Sequence, residues 1–402
     1  MKFSKLSQLF LVSAIGLILA SFLTACNLVT IDYVFVASSA GSSSGSAGQI
    51  YTYAVDAKSG ALRTAASPVS SGGSGPVALA TTSDYDNLYV ANKGNNSVVH
   101  FSVSDSGILT MKDSITLANT PVSIAVSPAG TYLYVISGTA SATLTEYALS
   151  SGAIGSATAT LSLTVPGFST DTIVPTGVTV LANSSAVYVA AYDKSAYNPG
   201  GTTTSNANPG WLFGYAVGSG GAMTAVSGSP YQAGVKPSAL TTDPISRFVY
   251  VTDFASNELI GYTVLSTDAL QFMINGPFRT GNEPSSVVID PRGIFIYLAN
   301  SLDETVSAYS ISLPTGTPTA DVGISGTAGT TTDTDPVSVI VDPAEGVFVY
   351  TANYLGNSVS GFRLNPSDGT IDQTQATPYP TGANPTALIA VPHGNHALST
   401  PQ

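Results

Sequence analysis

Charged side chains that could bind or transform a ligand are few in this chain, because only 9% of its 402 residues are charged. Three of them lie shortly before prolines that open a repeated motif: Lys236 before Pro237, and Arg279 and Glu283 before Pro284. A guanidinium group can bind a carboxylate or phosphate through two hydrogen bonds, and a carboxylate can act as a general base. The alternative is that these charges only keep a polar rim hydrated.

The wider set of candidate ligand-binding residues contains charged, aromatic and amide side chains that we expect at one face of the fold. They are Lys93, Asp193, Trp211, Lys236, Asp253, Arg279, Glu283, Asp303, Asn353 and Tyr354. Asp333 and Asp335 could share a calcium ion with backbone carbonyls, or lie in a solvated polar loop. His100, between two apolar residues, is predicted to pack within a strand. No catalytic residue is assigned from the sequence, and no cofactor is predicted.

The elements that must position these side chains repeat seven times. Each unit opens with a proline and a short apolar alternation, at Pro76, Pro121, Pro175, Pro237, Pro284, Pro336 and Pro385. An aromatic-rich run such as LYVAN (Leu88–Asn92) or FVYVTD (Phe248–Asp253) follows in the first six units. A period of roughly 45 to 60 residues with several short strands per unit is typical of a propeller. The sequence therefore predicts an all-β, seven-bladed β-propeller.

Each blade is predicted to have four strands, from an inner strand A to a weak outer strand D. DYVFVAS (Asp32–Ser38) and IYTYAV (Ile50–Val55) have no strand A before them, and Pro385–Ala390 is a strand A with nothing after it. One blade should thus be closed by both termini, within a propeller spanning 32–390 and followed by a tail, 391–402. The long D-to-A and B-to-C loops share one face, where function concentrates.

The first 25 residues are predicted to be an export signal rather than part of the fold. Lys2 and Lys5 precede the apolar stretch Leu9–Ala20, which is short for a membrane span. Leu23-Thr24-Ala25-Cys26 then resembles the lipobox of bacterial lipoproteins. We expect Cys26 to carry lipid, residues 26–31 to form a short linker, and the protein to be anchored at the cell envelope, on the periplasmic side of a membrane or at the cell surface. A plain secretory signal is the alternative.

Composition excludes several classes of function. Cys26 is the only cysteine, so disulfides, zinc–thiolate sites and thiol catalysis are excluded. The formal net charge is −12, and an acidic chain without basic clusters is a poor binder of nucleic acid. We therefore expect no nucleic-acid partner and a monomeric protein that meets the membrane through its lipid.

The strand runs YVAN, YVTD, YLAN and YTAN, together with the Asp-Pro turns at Asp243, Asp290 and Asp342, resemble those of the YVTN-type propellers and the seven-bladed lactonase family. That family includes bacterial 6-phosphogluconolactonases and muconate cycloisomerase-like enzymes. The resemblance extends from about Asp32 to Ala390. It implies the propeller fold and makes lactone hydrolysis the activity to test.

The same resemblance implies a catalytic Arg-His pair after the proline of one inner strand, facing the central channel. The seven equivalent pairs are Val77-Ala78, Val122-Ser123, Thr176-Gly177, Ser238-Ala239, Ser285-Ser286, Val337-Ser338 and Thr386-Ala387. None of these can transfer a proton or hold a phosphate. The Asn-Glu that these enzymes carry after a strand B is replaced by Asn300-Ser301.

Three functions remain open. The main prediction is a lipid-anchored module without enzymatic activity that binds a glycan, peptide or protein at its loop face. The alternative is a lactonase-type hydrolase with a rebuilt site at the mouth of the channel, using Arg279, Lys236 and an acid such as Glu283 or Asp253. A purely structural envelope protein is the third. The missing Arg-His pair and the export signal, which separates the chain from cytosolic sugar phosphates, favour the first and third.

Overall fold

Seven antiparallel sheets arranged as blades make up the part of the chain that the structure describes. The structure is a computed structural model, and it describes residues 29–39, 47–138, 141–167, 173–195, 209–320 and 329–394. Cys26 lies outside the described residues, as does most of the long insertion before Trp211. No helix in the described ranges is long and apolar enough to cross a membrane.

The strands are given in chain order. The first eleven are β1 (Thr30–Ser38), β2 (Gln49–Asp56), β3 (Leu62–Ser70), β4 (Pro76–Thr81), β5 (Asn87–Asn92), β6 (Ser97–Val103), β7 (Leu109–Thr116), β8 (Pro121–Val126), β9 (Tyr132–Ser137), β10 (Thr143–Ser150) and β11 (Ala153–Ser162). The next ten are β12 (Ile173–Val180), β13 (Ala186–Asp193), β14 (Gly210–Val217), β15 (Met223–Ala225), β16 (Tyr231–Gln232), β17 (Pro237–Thr242), β18 (Phe248–Asp253), β19 (Glu258–Val264), β20 (Leu270–Phe272) and β21 (Phe278–Arg279). The last eleven are β22 (Pro284–Ile289), β23 (Phe295–Asn300), β24 (Thr305–Ile311), β25 (Pro318–Ala320), β26 (Thr330–Thr331), β27 (Pro336–Val341), β28 (Phe348–Asn353), β29 (Ser358–Leu364), β30 (Ile371–Gln373), β31 (Tyr379–Pro380) and β32 (Pro385–Pro392).

Blades 1 to 6 begin at β4, β8, β12, β17, β22 and β27, and blade 7 contains both ends of the chain. Its strand order is β3-β2-β1-β32, so β32 is the inner strand and the N-terminal strands are the outer three. Phe35 lies opposite Ile389 in this pairing. The predicted propeller and its closure are thus confirmed. Closure removes the open sheet edge that a linear row of blades would leave.

Buried strand-B tyrosines connect blades 1, 3, 4, 5 and 6 to the blade that follows each of them. The Tyr89 hydroxyl donates to the Gly152 carbonyl at 2.6 Å, and the Tyr297 hydroxyl donates to the Gly369 carbonyl at 2.8 Å. Tyr350 reaches Gly60 across the closing seam in the same way, at 2.7 Å. The acceptor is always in the C-to-D turn of the following blade. The aromatic strand motif therefore packs the blade and also satisfies a buried polar group of its neighbour.

The short A-to-B turns are held by their aspartates. The backbone N–H groups of Phe248 and Phe295 donate to Asp243 and Asp290 at 2.9 and 2.8 Å, and Asp342 accepts from Phe348. These carboxylates are fully buried. They fix the face that carries the A-to-B and C-to-D turns, which we call the short-turn face. The opposite face, with the B-to-C and D-to-A connections, is the long-loop face.

Strand D differs among the blades in a way that the sequence did not predict. It is continuous in blades 7, 1 and 2, as in the ten-residue β11. In blades 3 to 6 it is split, and the second piece pairs back onto strand C on the way to the next blade, as β21 does with β19. This places part of the D-to-A connection beside strand C, well away from the axis.

Candidate functional site

The central channel is lined by the residues that follow the seven prolines. All seven pairs that the sequence analysis aligned with the Arg-His position face this channel, including Val77-Ala78, Ser285-Ser286 and Thr386-Ala387. The cavity measures about 230 Å³. None of the described residues that line it is ionisable, so these residues supply neither a general base nor a cation.

The channel hydroxyls are used to join the blades. The Ser285 hydroxyl donates to the Pro336 carbonyl of the next blade at 2.6 Å, and Thr386 donates to Pro76 at 2.8 Å. The Ser286 hydroxyl accepts from the backbone of Val339 at 3.1 Å. Where the lactonase pattern has reactive side chains, this chain therefore has hydrogen bonds that hold its ring together.

A larger polar cleft opens on the long-loop face between blades 4 and 5. Its volume is about 520 Å³, and it is lined by Ser256, Asn257, Glu258, Arg279, Thr280, Gly281, Asn282, Asp303 and Thr305. The B-to-C loop of each blade forms one side, and the connection from β21 to β22 runs between them. The lining contains a cation, two acids and several amides and hydroxyls, which is suited to a ligand rich in hydroxyl groups.

Hydrogen bonds among the loops fix the shape of the cleft. Asp303 accepts from the backbone N–H of Asn282 at 2.7 Å and from its side-chain amide at 2.8 Å. The Asn257 side chain accepts from the Glu283 N–H at 2.8 Å and donates to Asn282 at 3.0 Å. Gly281 has no room for a side chain, because a Cβ there would lie 2.6 Å from Asn300. Asp303 and Asn257 are therefore positioning residues that hold the backbone of the connection.

Glu258 and Arg279 are the two charged side chains in the cleft that the loops do not engage. They lie directly opposite each other across β19 and β21, where Cβ atoms are about 5 Å apart. Neither side chain forms a hydrogen bond or salt bridge with another described residue. Burial raises the pKa of the Glu258 carboxyl, nearby Asp253 raises it further, and the Arg279 guanidinium lowers it. A carboxylate with a raised pKa beside a guanidinium can pair a base with a site for negative charge.

The repeat shows that this pair is particular to blade 4. Trp211 and Gln232 occupy the equivalent places in blade 3, Thr305 and Thr331 in blade 5, and Ser358 and Pro380 in blade 6. Sequence reasoning missed Glu258, Asn257 and Asn282. One feature of the sequence could have identified Glu258. Among the first residues of the seven C strands, it is the one that is ionisable.

The predicted binding residues separate into several groups. Arg279 and Asp303 line the cleft, and Glu283 follows directly after it with a positive φ of 54°. The place of Arg279 before Pro284, at the start of an inner strand, would suggest a position near the axis. The split strand D puts it beside strand C instead.

Three predicted residues are buried and form hydrogen bonds with residues of neighbouring loops and strands. Asp253 accepts from the N–H groups of Val235 and Lys236 at 2.7 and 2.9 Å. Asn353 donates to the hydroxyls of Ser358 and Ser360, and Asp193 accepts from Ser195. Each of these side chains stabilises the end of a strand B.

The remaining predicted residues are spread around the long-loop face. Lys236 places its ammonium group 4.3 Å from the centre of the Phe254 ring, a cation–π contact, and Lys93 is exposed on blade 1. Trp211 is the second residue of its strand C, β14, and the Tyr354 N–H donates to the Asp335 carbonyl at 2.7 Å.

The two carboxylates considered for calcium lie in the connection to blade 6. Asp333 accepts from Ser358 at 2.8 Å, and burial raises the pKa of Asp335. Within the described ranges, no group of three or more His, Cys, Asp or Glu side chains could hold a metal ion.

Comparisons with known proteins agree with this architecture. A sequence model of the family described as "Lactonase, 7-bladed beta-propeller" matches residues 67–170 and 169–401. A putative 6-phosphogluconolactonase from Bacteroides uniformis superimposes with a TM-score of 0.71 at 15% identity, covering 90% of this chain and 100% of that one. A periplasmic gluconolactonase from Pseudomonas aeruginosa gives 0.71 at 17% identity, covering 90% and 99%. A protein from Lactobacillus plantarum gives 0.69 at 16%, covering 90% and 100%.

No curated protein matches the chain. At these low identities the solved structures show the fold alone, whereas the family match covers most of the sequence. This chain belongs to the seven-bladed lactonase β-propeller family.

Proposed function

We propose that this protein hydrolyses a sugar lactone at the cell envelope and that the cleft between blades 4 and 5 is its active site. The observation that carries the proposal is the opposed pair of Glu258 and Arg279 in a polar cleft. Membership of the lactonase family supports it, as do structural neighbours described as a 6-phosphogluconolactonase and a periplasmic gluconolactonase. The reacting groups differ from those that the sequence resemblance implied.

The proposed reaction needs one base and one stabiliser of negative charge. Glu258 takes a proton from a water molecule while the oxygen of that water adds to the lactone carbonyl carbon. Arg279 stabilises the oxyanion of the tetrahedral intermediate that forms. The ring C–O bond then breaks, and the proton on Glu258 passes to the departing ring oxygen. The product is the open-chain hydroxy acid, and Glu258 is regenerated as a carboxylate.

The charges of the cleft favour a neutral sugar lactone over a phosphorylated one. The lining holds one cation, Arg279, and two acids, Glu258 and Asp303. A phosphate dianion would be repelled by the acids, whereas hydroxyl groups can bond to the amides of Asn257 and Asn282. Lys236, a further cation of the long-loop face, is stacked on Phe254 instead of lining the cleft.

A binding module is the second candidate function. It is favoured by the channel, whose described lining residues carry no ionisable group, and by Leu302 and Leu355, which are 63% and 59% exposed at the tips of long-loop-face loops. Such a module would present this face to a glycan, a peptide or a protein.

We further propose that Cys26 carries the lipid that holds the protein at the envelope. Two or more acyl chains at one residue are needed for a stable anchor. The processed protein should partition into detergent, and Cys26→Ser should be unprocessed or unanchored. Recovery of the wild-type protein as an unmodified species in the aqueous phase would rule out the anchor.

The enzymatic proposal can be tested with gluconolactone as the substrate of the processed protein. The rate of ring opening is measured by titrating the acid that is released. We expect turnover above the spontaneous rate and slower turnover of the 6-phosphorylated lactone. Saturable binding of the lactone without any acceleration would replace the hydrolase with the binding module.

A further inference from the structure

The chain enters the propeller on the face opposite the candidate site. β1 is the strand B of blade 7, so Thr30 lies on the short-turn face, whereas the cleft opens on the long-loop face. The Val29 carbonyl accepts from the Ala57 N–H at 2.8 Å, which fixes the start of the strand against the C-to-D turn of its own blade.

Three exposed basic side chains surround this point. The Arg63 guanidinium donates to the Thr30 hydroxyl at 2.7 Å, and the Arg363 guanidinium donates to the Lys58 carbonyl at 3.3 Å. Lys58 follows Ala57, the residue bonded to Val29. In a chain with 12 basic residues in total, this basic corner of Lys58, Arg63 and Arg363 is a local concentration of positive charge.

Acidic residues also lie beside the basic corner. Asp56 is buried, and its carboxylate accepts from Ser59 and from the Lys58 N–H. Hydrogen bonds from Ser59 lower the pKa of Asp56, as does the Arg63 guanidinium. Asp372 lies opposite Arg363 in the register of β29 and β30. Val29 and Ile108, which are 54% and 56% exposed, add apolar surface on the same side.

The tether between the proposed lipid and the fold is short. Cys26 and Thr30 are four residues apart, and an extended chain of that length spans about 14 Å at most. A lipid on Cys26 would therefore hold the basic corner within reach of the headgroups.

We propose that the basic corner of the short-turn face rests on a lipid surface with anionic phosphate headgroups, so that the cleft opens away from the membrane. The proposal rests on the acylation of Cys26 proposed above. Ammonium and guanidinium groups near such a surface gain electrostatic attraction that falls off within a Debye length. The lipid supplies attachment, and the basic corner supplies orientation.

Fluorescent labels on the two faces test this orientation. The thiol of Cys26 is blocked in the acylated protein, so Ile108→Cys on the short-turn face and Leu302→Cys on the long-loop face each provide a single labelling site. The processed proteins are placed in vesicles containing brominated lipid and anionic phospholipid. We expect strong quenching at position 108 and little at position 302. Equal quenching at both positions would overturn the proposal.

Charge reversal then tests the role of the basic corner. In the double variant Lys58→Glu with Arg63→Glu, quenching of the label at position 108 by a water-soluble quencher should increase several-fold. The control double variant, Lys93→Glu with Lys194→Glu on the long-loop face, should leave this quenching unchanged. Equal quenching at position 108 in the two double variants, or in anionic and zwitterionic vesicles, would overturn the electrostatic contact. Failure of the wild type to stay on vesicles would overturn the anchor itself. Lactone hydrolysis measured on the same samples reports independently on the active site.

Discussion

The central channel and the cleft between blades 4 and 5 are both polar openings, but they use their side chains differently. In the channel, Ser285 and Thr386 are bonded to the next blade, and the described lining residues are not ionisable. In the cleft, other residues hold the loops, and Glu258 and Arg279 are left for a ligand. The comparison teaches that a propeller can keep its ring intact while its reactive groups lie off the axis.

The largest effect should follow from removing the proposed base. Glu258→Gln keeps the size of the side chain but cannot accept a proton, so lactone hydrolysis should fall by about 10²- to 10⁴-fold. The melting temperature should hardly change, because Glu258 forms no hydrogen bond or salt bridge with another described residue. Ser123→Ala, in the channel, is the matched control and should retain full activity. If Ser123→Ala lost more activity than Glu258→Gln, the active site would lie in the channel instead.

Removing the proposed oxyanion stabiliser should have two effects. Arg279→Gln should lower turnover by about 10²- to 10³-fold, the range found for single oxyanion donors. Arg279 lowers the pKa of Glu258, so its loss should shift the acid limb of the pH–rate profile to higher pH. Lys236→Ala is the control, and it should leave that limb in place. An acid limb that does not move in Arg279→Gln would show that Glu258 is not the titrating base.

Asp32 is a second acid with a raised pKa, and it lies outside the candidate site. Its substitution should therefore change stability without changing activity. Burial and then the charge of Asp342 raise the pKa of Asp32, which lies fully buried in the closing blade. The folded state therefore prefers the protonated acid, and stability falls as pH rises above the unfolded value of about 4, until the folded pKa is passed. Asp32→Asn should be more stable than wild type at pH 7 and show no gain at pH 4.

Denaturant unfolding at several pH values measures this effect, and hydrolysis should not change. Asp368→Asn is the control, because hydrogen bonds from Thr370 lower the pKa of Asp368 and its loss should bring no gain at neutral pH. Equal stability of Asp32→Asn and wild type at pH 7 would contradict a raised pKa at Asp32 in the folded state.

The smallest effect should come from the channel hydroxyls. Ser285→Ala leaves the Pro336 carbonyl without its partner and should cost about 1 kcal/mol of unfolding free energy. Activity per folded molecule should stay at the wild-type level, which a comparison of unfolding curves with initial rates would show. A loss of activity larger than the loss of folded protein would return a catalytic role to the channel.

The sequence was sufficient to predict the propeller because its strands carry strong periodic signals. Buried strands such as FVYVTD (Phe248–Asp253) recur after the first six prolines, and the unmatched strands at the two ends required a shared blade. The lining of the channel was predictable for the same reason, since it follows the prolines directly.

The cleft was only half predictable. Arg279 and Asp303 were identified, but their partner Glu258 was not, because the two-residue strand β21 has no alternation that would show it pairing with β19. The roles of Asp253 and Asn353 also depended on tertiary structure. The sequence alone does not distinguish a polar residue at the end of a strand that binds a ligand from one that forms hydrogen bonds with a neighbouring loop.

The most direct test of the account is the position of a bound lactone. A crystal structure of Glu258→Gln with gluconolactone should show the ring in the cleft between blades 4 and 5, with its carbonyl oxygen within hydrogen-bonding distance of the Arg279 guanidinium. A lactone bound in the central channel against the Ser285 and Thr386 hydroxyls, with the cleft empty, would contradict the account.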